Sequence, residues 1–250
     1  MLFRICVNAL LWLVFPFVHA ASEPSMVWDV EYLAGDYQNP MVYSEEIILR
    51  DQRERAVKRV TSTQIEAMLE VMQHINGAAE LNVRLYVVEG DAPNAYASGD
   101  DEEAGVFVNF GMMDLIQVDS DQWAALLGHE VAHIKLGHGD KNEKRRIPIN
   151  IFSAAVGGLA KTPLAAQATQ LLTTGVASKF SRDQERQSDY LGAIWAVEAG
   201  YDPYGAAALH EELSRQSLRL NIPFILSHPS DKERIVNLNK LAKRLDKNSR

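Results

Sequence analysis

Apolar residues recur at helical spacing along most of this chain and alternate in only one short region. Ser44-Glu45-Glu46 reads as a helix start with acids in its first turn. Behind it Ile47, Ile48, Ala56, Val57, Val60, Ile65, Met68, Leu69, Met72 and Ile75 keep the helical period to about residue 76. Thr61-Ser62-Thr63 is a candidate break, so the spacing predicts two helices, and the charged run at 50–59 reads as a solvated helix face. Residues 82–89 alternate, with β-branched and aromatic side chains, and predict a strand. A turn at 90–93 leads to a hairpin, 94–97 and 105–110, around an acidic tip at 99–103. A short helix is expected at 111–118 and a longer one at 121–134, with Asp119 and Ser120 as cap candidates and Gly137 and Gly139 at its end. Ser181 opens a helix to about 199, closed by Gly200 and Pro203. Residues 204–218 form another helix and 221–229 a loop. Ser230-Asp231-Lys232-Glu233 is a capping box opening a last helix, with Ile235, Leu238, Leu241 and Leu245 on one face. The pattern is that of an α+β chain, mostly helical, with a small β-sheet.

Residues 1–20 differ from the rest. Arg4 precedes an apolar run, and Val18-His19-Ala20 puts small residues where a signal peptidase cuts. The run falls short of the roughly 20 residues of a membrane span. We read 1–20 as a cleavable signal peptide and expect the protein in the periplasm. Cys6, the single cysteine, lies inside it, so the mature chain would carry no disulfide. Residues 21–43 hold Trp28, Tyr32 and Tyr37 without a period and read as an N-terminal arm; 44–250 is the main domain. Residues 147–178 carry one charge, Lys161, and read as a buried helical hairpin, with a lid or a membrane or partner surface as alternatives. The formal charge of −8 gives no support for nucleic-acid binding.

Chemistry concentrates in His129-Glu130-Val131-Ala132-His133. Residues four apart share a helix face, so both imidazoles can hold one Zn²⁺, with the glutamate between them as general base. A catalytic zinc takes a third protein ligand. His138 is one residue out of register for the pattern in which a third histidine ligates, and reads as a polar residue at the helix end. The other candidate is Glu185, with Asp189 one turn on and able to accept the second ring N–H of a ligating histidine. The alternative is a pair of surface acids. The helix that carries them has Leu191, Ile194, Trp195 and Val197 on its other side, which favours the metal.

H-E-x-x-H followed by Ser181-Arg182-x-x-Glu185-x-x-x-Asp189 resembles the gluzincin metallopeptidases of the HtpX and CAAX-prenyl-protease type, most closely their small bacterial periplasmic members. Asn94-Ala95-Tyr96-Ala97, the stretch 107–114 and Ser227-His228-Pro229-Ser230 are similar to further elements of that family. The resemblance implies a zincin-like fold whose sheet edge borders the cleft, zinc on His129, His133 and Glu185, Glu130 as base, Asp189 behind the ligands, and Asn94 and His228 near the substrate or the open metal position. The long acidic stretch 98–104 departs from the family's short turn and puts the cleft rim in question.

The resulting expectation is a zinc endopeptidase for unfolded or misassembled exported proteins, with an edge strand at 105–110 receiving substrate by strand addition. The competing reading is a chaperone-like envelope-assembly factor that cuts little. His228 adds a regulatory expectation: in the fourth zinc position it would displace water.

Overall fold

The computed structural model describes residues 27–35, 46–51, 53–98, 104–139, 180–218, 221–229 and 232–248. The expected signal peptide, the acidic tip at 99–103, the segment 147–178 and the capping residues Ser230 and Asp231 lie outside them.

Two sheets form. β1 (Val27–Asp29), β4 (Arg84–Val88), β5 (Ala95–Ser98) and β6 (Gly105–Asn109) make one sheet in the order β1-β4-β6-β5. β4 and β6 run parallel, and β1 and β5 are antiparallel to their neighbours. β2 (Glu46–Arg50) and β3 (Ala56–Thr61) form a separate hairpin. Around these lie α1 (Val30–Gly35), α2 (Ser62–Ala79), α3 (Phe110–Ile116), α4 (Ser120–Lys135), α5 (Arg182–Glu198), α6 (Gly205–Ser217), α7 (Pro223–Ser227) and α8 (Lys232–Asn248). This is the expected α+β, mostly helical class. Among the described residues no helix is long and apolar enough to cross a membrane.

Three local expectations change. Residues 46–60 are a hairpin, not a helix. Ile47 and Leu49 are buried with less buried neighbours between them, which is a strand's period. Asp51 closes the turn by accepting from the N–H groups of Arg53 and Arg55, both at 2.9 Å, and Glu54 takes a left-handed φ of 60°. The helical spacing came from α2 alone, where Ile65, Met68, Met72 and Ile75 are buried. Second, β6 is interior, and the edge is β5, which pairs only with β6 among the described strands and packs beside α4. Third, the loop expected at 221–229 contains the short helix α7, with Pro223 in its first turn.

The main core joins both layers. Leu85, Val87, Val106 and Val108 from the inner sheet face meet α2 and the apolar side of α4, where Trp123, Leu127 and Val131 have no exposed surface. Tyr86, Phe107 and Tyr96 stack across the other sheet face at 4.9 and 5.1 Å between ring centres. α4 is thus fixed on one side by the sheet and α2. Its other side is covered by α5 and α6.

Candidate metal centre

α4 begins where Asp119 accepts from Gln122 N (3.0 Å), and it ends at Leu136, where Gly137 turns the chain with a φ of 59°. α5 begins at a full capping box: Ser181 Oγ accepts from Gln184 N, and Gln184 Oε1 accepts from Ser181 N. The two helices meet at paired glycines. A Cβ on Gly128 would lie 2.9 Å from the Gly192 carbonyl oxygen, and one on Gly192 would lie 2.6 Å from the Gly128 carbonyl carbon. Only bare backbone permits that approach, and it sets His129 on α4 opposite Glu185 and Asp189 on α5.

Four donors converge there: His129, His133, Glu185 and His228, all buried, with ligand atoms within 4.8 Å of one another. His129 Nε2 is 3.0 Å from His133 Nε2 and 3.2 Å from His228 Nδ1. Glu185 Oε1 is 3.1 Å from His228 Nδ1 and 3.5 Å from His133 Nε2. Ligand atoms around a tetrahedral zinc sit about 3.3 Å apart, given bonds of about 2.0–2.1 Å. The observed spacings straddle that value, and imidazole and carboxylate donors suit this metal. Lone pairs brought this close need a cation or shared protons between them, so the residues fit a divalent metal. Glu130 adjoins the cluster, wholly buried; among the described residues neither of its oxygens has a hydrogen-bond partner, and Oε1 lies 3.5 Å from His228 Nε2.

Asp189 stands behind His129, its Oδ1 3.0 Å from His129 Nδ1. The carboxylate and the ring nitrogen face each other as an ion-pair contact. Arg234 from α8 then ties both acids together. It donates to Glu185 Oε2 at 2.5 Å, to Asp189 Oδ1 at 2.7 Å and Oδ2 at 3.0 Å, and to the Pro229 carbonyl at 3.2 Å. Burial pushes Asp189 up, but the Arg234 guanidinium and His129 outweigh it and hold the carboxyl below its ordinary range. Burial likewise opposes the ionised Glu185, and His228, His133 and His129 overcome it, so its pKa is also lowered. Burial alone would lower His129, yet the Asp189 and Glu185 carboxylates raise it. His133, with no second acid behind it, is lowered well below its usual value by burial.

His228 caps α7, its N–H donating to the Phe224 carbonyl at 2.8 Å and its ring stacked on Phe224 at 4.6 Å. Phe180 covers His133 and His228 at 3.9 and 5.0 Å between ring centres. Asn94 is buried just before β5, where its carbonyl accepts from Asn109 N at 3.1 Å and its N–H donates to the Asn109 side-chain Oδ1 at 2.9 Å. Its link towards the cluster runs through Pro93, whose carbonyl accepts from Phe224 N.

The sequence reading missed three contributors. Arg234 had a signal: it shares the buried stripe of α8 with Leu238 and Ala242, and a charge on an apolar stripe calls for a partner. His138 reads as a helix-end residue, yet it is wholly buried against His133, its Nδ1 3.1 Å from His133 Nδ1. Phe180 borders the undescribed segment and carries no motif.

The family model of Peptidase family M48 matches residues 59–242, most of the chain. The chain belongs to peptidase family M48. Among its M48-like relatives, the mitochondrial metalloendopeptidase OMA1 of Schizosaccharomyces pombe is 29% identical over 180 residues, covering 70% of this chain and 51% of the relative. An HtpX protease homologue of Dictyoglomus thermophilum is 29% identical over 193 residues, 76% of this chain and 55% of that protein. The metalloprotease LoiP of Escherichia coli is 27% identical over 168 residues, 66% and 64% of the two chains. The chain therefore spans about half to just under two thirds of the length of these M48 relatives.

Proposed function

We propose that this M48 chain is a zinc-dependent endopeptidase that cuts unfolded or misassembled exported proteins in the periplasm. The observation that carries the reading is the meeting of His129, His133 and Glu185 at one point, with the buried carboxylate of Glu130 beside it. Zinc bound there would polarise the scissile carbonyl and make water a better nucleophile near neutral pH. Glu130 takes the proton of the attacking water and returns it to the leaving amine. Among the described residues no hydrogen-bond donor holds its oxygens, which leaves them able to accept. Asp189 orients His129 from behind, and Arg234 keeps the second oxygen of Glu185 turned away from His228.

The β5 edge supports the substrate class. β5 pairs on one side only among the described strands, and such an edge can take an extended segment through main-chain hydrogen bonds, which ask little of side chains. Unfolded chains meet that condition, and Asn94 lies where such a segment would enter. The export pattern of residues 1–20 supports the location.

The position of His228 supports a second reading of the same site. Its Nδ1 stands among the other donors, where a catalytic zinc keeps a place for water. That is a resting state, relieved when the α7 segment swings away. His228→Ala then raises basal cleavage, and unchanged cleavage removes the switch.

Digestion of unfolded casein tests the main reading. Wild type is expected to cleave it, while Glu130→Gln and chelator-treated wild type do not. Cleavage that survives both treatments sinks the metalloprotease. A wild type that binds casein without cutting it favours a chaperone.

A further inference from the structure

We propose that His138 and Gln187 form a neutral relay that fixes the tautomer of His133, and that metal affinity at the centre depends on it. The inference rests on the zinc reading above. The two histidines present their Nδ1 atoms to each other at 3.1 Å, and their rings meet edge to face. Nitrogens at that separation share one proton. A His133 that offers the Nε2 lone pair to a metal carries its proton on Nδ1. His138 Nδ1 is then the acceptor, and the proton of His138 sits on Nε2. That atom lies 3.1 Å from Gln187 Oε1, which can only accept. The chain of donors has one consistent direction: His133 to His138 to Gln187. Ser188 Oγ, 3.3 Å from the same His138 Nδ1, is a second hydrogen-bond partner there, and in this tautomer its hydroxyl donates to that lone pair.

The fold is built to deliver this contact. His138 follows the end of α4, and the left-handed Gly137 turns it back under the helix. The ring is wholly buried, and Gln187 reaches it from α5, on the helix that also supplies Glu185 and Asp189. His138 and Gln187 place no carboxylate behind His133, whereas Asp189 places one 3.0 Å behind His129.

Zinc dissociation constants by chelator competition on the full chain test the relay, together with ¹⁵N spectra of the histidine rings. His138→Leu is expected to weaken zinc binding about 10–100-fold, the usual effect of losing such a partner. His138→Asn keeps an oxygen acceptor near the Nδ1 position and is expected to stay within about threefold of wild type, because the acceptor is what matters. Gln187 is exposed, so Gln187→Leu folds and is expected to weaken binding by several-fold. Zinc-loaded wild type should show His138 protonated on Nε2 and His133 on Nδ1. The relay is overturned if His138→Leu binds as tightly as wild type, if His138→Asn is as weak as His138→Leu, or if His138 carries its proton on Nδ1 in the loaded protein. A wild type that takes up no zinc overturns the metal centre itself, a result distinct from those three.

Discussion

The two histidines of α4 are backed in opposite ways. Behind His129 stand a carboxylate and a guanidinium, Asp189 and Arg234, the second reaching in from α8. Behind His133 stand an imidazole and an amide, His138 and Gln187, both close to the α4–α5 contact. The charged side raises the basicity of its ring and depends on a distant element. The neutral side leaves its ring a weaker base and is nearly local. One centre thus holds an unequal pair of donors, and the difference predicts unequal costs of damage.

The largest effect is expected on the charged side. Arg234→Met leaves Glu185 and Asp189 buried without their cation and should cost ~3–5 kcal/mol in the metal-free chain, by urea denaturation. Loss of well under 1 kcal/mol would mean that the acids do not rely on Arg234. An intermediate effect is expected at the crossing that both sides share. Gly192→Ala pushes a Cβ into the backbone of α4 and should cost ~1–3 kcal/mol. It should also weaken zinc uptake, because it parts Glu185 from the histidines; a variant with lower stability but unchanged zinc affinity would show that the crossing sets packing only.

The smallest is a pH effect confined to the charged side. A carboxyl whose folded pKa lies below its unfolded value of about 3.9 gives stability that is complete above that value and drains away as pH falls through the folded one. Asp189 is such a group. The metal-free chain should therefore lose stability below about pH 4, and Asp189→Asn should flatten that loss. An identical acid profile for the two proteins, followed by circular dichroism, would place the acid sensitivity elsewhere.

This asymmetry also marks what the sequence could reveal. The His129–His133 pair and the Glu185–Asp189 pair each repeat after one turn, and helical spacing makes such pairs legible without knowing what they face. Both caps are local as well, and Asp119 and Ser181 take the places expected of them. What Arg234 faces and the Gly128–Gly192 contact arise from packing between segments far apart in the chain, which leaves no spacing to read, and the turn at Gly137 that folds His138 back on His133 breaks the helical period that would have paired them. The same holds for the sheet. The β5–β6 hairpin follows from its own residues, but that β6 lies inside and β5 at the edge depends on the parallel pairing with β4. The β2–β3 hairpin went unread because its strands are short and run directly into the strong helical period of α2; Asp51 and Glu54, in the turn, were the available clue.

The reach of Arg234 has a consequence for synthesis. It leaves the ribosome roughly a hundred residues after His133. At common elongation rates that is a delay of ~5–20 s. Through that interval the two α4 imidazoles exist without the cation that steadies their acidic partner. The buried acids of the centre gain their counter-charge only when α8 docks, so the site is completed by the last helix of the chain.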